Sequence, residues 1–201
     1  MIAQPFAQRD DKPVDDHIVL FHDAAWSDYK RLLRLRGERP VPRLAFSRGV
    51  LELMSPSRQH EAIKSLIGRL VEVWCDVRGV EFDVYGAWTL ERPDEERAVE
   101  PDECYVFGGE REPARPHLAV EVIWTTGRLD KRDIYRALGV RELWFWRKGR
   151  ITVHALRAGG YEEIATSEVL AGIDLVELTS FLDRPTMSQA IREYRAAVRA
   201  R

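Results

Sequence analysis

Cysteine is scarce in this 201-residue chain: Cys75 and Cys104 are the only two, far apart and in no CxxC pairing. That excludes a thiolate zinc cage and a disulfide framework, and it fits a reducing compartment, so a cytoplasmic location is expected. The five histidines are scattered, with no HExxH pair to place two imidazoles on one helix face. No apolar run approaches the roughly 18 residues that a spanning helix needs, so no membrane association is expected. The first residues, Met1-Ile2-Ala3-Gln4-Pro5, carry neither a basic nor an apolar leader region. An excess of one charge is also missing, since 31 Lys and Arg stand against 33 Asp and Glu. A protein that coats nucleic acid nonspecifically is net basic, so that class is disfavoured; a local basic rim around an acidic centre is not. A glycine-rich phosphate loop is lacking too, which argues against sugar- or nucleotide-processing enzymes built on one.

What remains is a soluble, globular balance: 45% hydrophobic and 32% charged residues. Residues 1–16 are polar, carry Pro5 and Pro13, and read as a flexible arm; residues 17–201 are short enough for one core. Asp23 can cap a helix over Ala24 to Leu35. Arg43 to Ser47 and Val50 to Met54 form a hairpin pattern turning at Arg48-Gly49. From Ser57 to Val77, Ile63, Leu66, Ile67, Leu70, Val71, Trp74 and Val77 recur at steps of three and four, so one face of a long helix is apolar. Strands are expected over Glu81 to Leu90, Asp102 to Phe107 and Leu118 to Trp124, then a helix over Leu129 to Leu138. Further strands fall at Glu142 to Trp146, Ile151 to Leu156 and Tyr161 to Ala165, and a basic amphipathic helix at Ser188 to Ala200. Strands on both sides of two well-formed helices imply a mixed α/β sandwich.

The chemistry concentrates between Glu100 and Lys131. Glu100-Pro101-Asp102 is followed by Val120-Glu121-Val122 and then by Leu129-Asp130-Lys131. Two carboxylates at the ends of adjacent strands supply the hard oxygen ligands that a divalent cation needs, and a lysine beside them can orient water and offset negative charge. If the three converge, they make a phosphodiester-cutting site. Each residue also has a plainer reading. Asp102 after Pro101 suits a turn. Glu121, within Leu118-Ala119-Val120 and Val122-Ile123-Trp124, cannot be solvated easily and could pair with a core arginine. Lys131 could be an exposed partner of Asp130 or Glu142. His60 and Glu61 lie in the first turns of the long helix, where Glu61 also suits the helix dipole. Glu52 alternates onto the face opposite Leu51 and Leu53 and is as well explained by solvent. Arg31, Arg34, Arg36, Arg39 and Arg43, then Arg128, Lys131 and Arg132, then Arg147, Lys148 and Arg150 could contact phosphates, although solvated faces balanced by acids are the usual explanation. Trp124 ends the Glu121 strand, while Trp144 and Trp146 suit a core or a subunit interface.

Taken in order, Gly49-Val50-Leu51-Glu52-Leu53-Met54-Ser55-Pro56-Ser57 with His60-Glu61, Glu100-Pro101-Asp102-Glu103-Cys104, Val120-Glu121-Val122, Leu129-Asp130-Lys131 with Ile134-Tyr135, and Gly139-Val140-Arg141-Glu142-Leu143-Trp144 resemble the Uma-two family. These bacterial proteins are placed in the restriction-endonuclease-like PD-(D/E)xK superfamily, and the resemblance runs from about residue 40 to 185. It implies a restriction-endonuclease-like α/β fold: a central mixed β-sheet flanked by helices, with an additional N-terminal hairpin and C-terminal helix. It also implies a metal-dependent endonuclease acting on nucleic acid, with DNA the expected substrate and Mg2+ or Mn2+ the cofactor. Asp102 and Glu121 match the metal-binding carboxylates, Glu61 (or Glu52) the auxiliary acid that aids them, and Lys131 the lysine. The simplest superfamily pattern would place that lysine at position 123, which is Ile here; in this family it has moved to the following helix. The competing expectation is a catalytically inactive nuclease fold used in regulation or partner binding, a homodimer through the Trp144 and Trp146 hairpin.

Overall fold

Alternating and continuously apolar segments sort into two sheets in the computed structural model, which describes residues 15–86, 88–125 and 129–201. In chain order the elements are β1 (His17–Phe21), α1 (Trp26–Arg36), β2 (Arg43–Ser47), β3 (Val50–Ser55), α2 (Arg58–Arg78), β4 (Phe82–Tyr85), β5 (Leu90–Arg92), β6 (Arg97–Val99), β7 (Glu103–Phe107) and β8 (Leu118–Val122), then α3 (Arg132–Leu138), β9 (Glu142–Arg147), β10 (Arg150–Arg157), β11 (Gly160–Ile164), α4 (Leu175–Ser180) and α5 (Met187–Arg199). One sheet has the order β1-β3-β2-β6-β5 and the other β11-β10-β9-β8-β7-β4. All neighbours run antiparallel except β8 and β9. A parallel pair needs a crossover, and the segment carrying α3 provides it.

The apolar stripe of α2 decides the core. Ile67, Leu70, Val71 and Trp74 pack on Val120 and Val122 of β8 and on Trp144 and Trp146 of β9, and Ala190, Tyr194 and Val198 of α5 complete this cluster. Burying one such large aliphatic side chain stabilises the fold by roughly 1.5–3 kcal/mol, so this layer dominates the packing. The opposite face of the six-stranded sheet meets α3. Ile134 and Tyr135 join Ala119, Leu143, Ala45, Leu90 and Val99 in a second cluster that spans both sheets. Helix α1 covers the five-stranded sheet through Tyr29, which packs with Leu44, Phe46 and Leu51.

The long helix, the hairpin before it and the C-terminal helix occur where their periodicities place them, with Ser57 capping α2 through the His60 amide. Other expectations need correction. Helix α1 is entered at Ala25, whose amide donates to the Asp28 side chain, while Asp23 adopts a left-handed conformation and caps nothing. The Glu81 to Leu90 segment divides, because Phe82–Tyr85 pairs with β7 and Leu90–Arg92 pairs with β6 in the other sheet. Strands β1 and β6 and helix α4 are additions to the expected elements: each is short, and each is held by pairing or packing with distant segments. Trp144 and Trp146 are buried in the chain's own core, so neither indole is available to an interface. Residues 1–14 of the expected arm lie outside the described residues, but Asp16 is buried. Among the described residues no helix is long and apolar enough to cross a membrane.

Candidate active site

Strand pairing brings the two key carboxylates together. Glu103 faces Val120 across β7 and β8, and Asp102, just before β7, and Glu121 each lie one step beyond that pair. Residues directly opposite each other in an antiparallel pair point to one face. Val120 and Val122 face α2, so Glu121 between them points the other way, toward α3. Both acids are buried, with 0% of Asp102 and 1% of Glu121 exposed. Pro101 carries the chain out of β6, and the acid on its other side, Glu100, turns elsewhere. Its carboxylate accepts from the Leu44 amide, Thr89 and Arg36, which fixes the end of α1 rather than joining the site.

Asp102 is enclosed by donors. Its Oδ1 pairs with the Arg43 guanidinium, and its Oδ2 accepts from the Val122 amide at 2.7 Å. The Nε2 of His60 lies 3.1 Å from that same oxygen, an ion-pair contact that is not aligned as a hydrogen bond. On its far side, His60 Nδ1 lies 3.0 Å from Asp16 Oδ2, and Asp16 Oδ1 accepts from the Ser57 amide. Burial alone would lower the pKa of His60, but the carboxylates of Asp102 and Asp16 outweigh it and raise the imidazole to about 9. Burial would raise Asp102, yet His60, Arg43 and Lys131 hold it far below the ordinary carboxylate range. Asp16 is lowered too: its hydrogen bonds to His60 and Ser57 overcome the burial that would raise it. His60 is therefore an imidazolium between two carboxylates at neutral pH.

Glu121 is held by the next helix. Lys131 is the residue before α3, only 6% exposed, and its Nζ donates to Glu121 Oε2 at 2.8 Å. The Tyr135 hydroxyl, one helical turn on, donates to Oε1 at 2.5 Å. Burial and the neighbouring Glu121 push the Tyr135 phenol well above its usual range, so it stays a donor. The lysine thus leans back over the strand end, as a cation displaced from the strand into the helix would have to. Its alternative partners are taken elsewhere: Asp130 pairs with Arg132, and Glu142 accepts from Trp144, Ser167 and the amides of Glu168 and Val169.

The remaining candidates stand around this centre. Glu61 is half-buried and meets the second nitrogen of Arg43 at 2.7 Å and Lys64 at 3.1 Å, so it shares Arg43 with Asp102. Glu52 is not solvated: it is 1% exposed, and its Oε2 accepts from the Leu129 amide at 2.8 Å, steadying the approach to Lys131. A cavity of about 610 Å3 opens beside Glu121 and Lys131. The sequence signal understates Arg43, Asp16 and Tyr135. Arg43 opens the strand Leu44-Ala45-Phe46, whose residues are all buried, and a charged residue at the end of such a run is the cue that could have found it.

A model of the Uma2 family, described as "Putative restriction endonuclease", matches residues 26–186. The chain belongs to the Uma2 family. The match takes in Glu52, Glu61, Asp102, Glu121 and Lys131, while Asp16 lies before it. No curated protein matches the chain. The expectation of a divalent metal can be set against the residues present. Among the described residues no three His, Cys, Asp or Glu side chains gather as a metal cage. Of the two hard carboxylates of this Uma2 site only Glu121 lines the cavity, while Asp102 is fully buried behind it. The donor chemistry suits Mg2+, which commonly takes one or two carboxylates plus a substrate phosphate, once the protein donors around Asp102 give way.

Proposed function

We propose that this chain is a metal-dependent endonuclease that hydrolyses phosphodiester bonds of DNA, with Asp102 and Glu121 as the ligands of Mg2+ or Mn2+. The observation that carries this reading is the Lys131 ammonium 2.8 Å from Glu121 on the wall of a cavity, with Asp102 one step beyond the last pair of β7 and β8. A bound divalent ion supplies Lewis-acid polarisation of the phosphate and acidifies a water. The protein's own groups do the rest. Tyr135 and Lys131 fix the Glu121 carboxylate, while Arg43, His60 and the Val122 amide fix Asp102. Lys131 positions the attacking water and offsets the charge that builds on the phosphoryl oxygens as the water oxygen bonds to phosphorus and the ester oxygen leaves. Glu61 is the auxiliary acid and acts by sharing Arg43 with Asp102. Cleavage of plasmid and of single-stranded DNA in Mg2+ or Mn2+ tests the assignment. Asp102→Ala and Glu121→Ala are expected to abolish cutting in folded protein, and undiminished cutting by either overturns the ligand roles of these two acids.

One observation favours a second reading. Both oxygens of Asp102 are already engaged by protein cations and a backbone amide, which is how an inactive, partner-binding descendant of a nuclease would neutralise its old site. Calorimetric titration with Mn2+ separates the two. Binding that is lost in Asp102→Ala supports the enzyme, and no binding at millimolar ion supports the module.

A further inference from the structure

Beyond Glu121 the strands carry a second pattern on the same face. The pairing of β8, β9 and β10 puts Glu121, Phe145 and Thr152 in one row across the sheet. One residue pair further along that face, Arg147 stands directly opposite Arg150. Ile123, whose amide still bonds to the Trp146 carbonyl, extends that row. Like charges placed opposite each other across two strands destabilise a sheet, and neither arginine has an acid within ion-pair reach among the described residues. Lys131 and Arg132 nearby are both neutralised, by Glu121 and Asp130, so the unbalanced positive charge belongs to the Arg147–Arg150 pair. Two arginines paired across the hairpin with no acid between them suit an anion with several oxygens.

The cavity they rim is the one that Glu121 and Lys131 also line. Its floor is aromatic: the half-buried Phe145 ring meets His154 edge-on, with centroids 5.4 Å apart. Ile123 and Leu129 add apolar wall. Its volume, about 610 Å3, falls within the roughly 300–1,000 Å3 of ordinary ligand pockets. A phosphate at the mouth and a flat, apolar ring on the floor together describe a nucleotide. A base still stacked and paired in a duplex presents no free face to such a floor, whereas an unpaired one does.

We infer that this cavity is a subsite for one unpaired nucleotide, its phosphate gripped by Arg147 and Arg150 and its base laid against Phe145, beside the Glu121–Lys131 centre. The inference rests on the nuclease reading for the identity of the strand, but its test does not need cleavage. A short fluorescent single-stranded oligonucleotide and its blunt duplex are titrated with the full chain in EDTA, over a series of salt concentrations, and anisotropy is read. The single strand is expected to bind at least about fivefold tighter than the duplex. For the Arg147→Ala/Arg150→Ala variant, the slope of log affinity against log salt should shrink by about 0.7 for each phosphate that the protein no longer neutralises. Phe145→Leu should weaken single-strand binding about tenfold, the order expected for removal of one stacked base, and leave the salt slope unchanged. An unaltered slope in the arginine variant, whose exposed side chains are not needed for folding, overturns the subsite. So does equal binding of duplex and single strand. The same plasmid assay run with metal keeps the two readings apart: cleavage that persists while oligonucleotide binding ignores Arg147 and Arg150 removes the subsite and leaves the nuclease. A reduced slope in a chain that cuts nothing leaves the subsite and removes the nuclease.

Discussion

Arg43→Ala is the substitution whose cost is best determined by the structure. Arg43 is 6% exposed and its partner Asp102 is 0% exposed. Truncating it leaves a carboxylate with no route to water. Removing one member of a buried ion pair typically costs about 3–5 kcal/mol, because the survivor is left charged and uncompensated. His60 and the Val122 amide remain against Asp102, which places the loss at the lower end, about 3 kcal/mol. The second contact, to Glu61, adds little because that side chain is 39% exposed, and solvent-screened pairs are worth about 0–1 kcal/mol. In a domain of this size each kcal/mol moves the melting temperature by about 2–4 °C, so Arg43→Ala should melt about 6–12 °C lower. Urea unfolding followed by tryptophan fluorescence gives the free energy directly. The double variant Arg43→Ala/Asp102→Ala completes the cycle, and removing both charges should cost clearly less than the two single losses combined, with a coupling of at least about 1 kcal/mol. A single-variant cost below about 1 kcal/mol, or additivity within about 0.5 kcal/mol, would refute the claim that Arg43 is what makes Asp102 tolerable in the interior.

Two further substitutions separate scaffold from chemistry. Glu142 is 0% exposed and gathers four donors from Trp144, Ser167, Glu168 and Val169, so Glu142→Leu strands buried donors and should cost about 3–5 kcal/mol in urea unfolding, while Mn2+ affinity measured below the melting point stays unchanged. Tyr135→Phe deletes only the hydroxyl that holds Glu121 Oε1; it should lower stability by about 1–3 kcal/mol and reduce metal-dependent cleavage without abolishing it, and full cleavage activity would show that Tyr135 does not position Glu121.

The parts of the fold visible in the sequence are those encoded within a few residues. The stripe of α2 and the unbroken apolar run of β8 around a single glutamate each announce both an element and the face it buries. Lys131 is legible for a related reason, since a cation at the start of a helix is unfavourable unless it turns back toward acids. The site's other half depends on contacts between residues far apart in sequence. Arg43 and Asp102 are 59 positions apart, and Asp16 and His60 are 44. Arg43 is set apart from the arginines of α1 only by the apolar run that it opens, and nothing near Asp16 marks it as more than the end of a polar segment. β6 shows the same limit: Arg97-Ala98-Val99 is too short to carry a period, and it becomes a strand only between β2 and β5.

The placement of the charges has a mechanical consequence. Arg43 and Glu52 come from the five-stranded sheet, Glu121 from the interior of the six-stranded one and Asp102 from the link between β6 and β7, and their contacts cross the seam between the sheets. The centre therefore exists only while the two halves are docked. A slight parting of that seam, well short of unfolding, would separate Asp102 from its guanidinium and loosen the Leu129 turn that delivers Lys131. Heat or mutation at the seam should silence the protein before it melts.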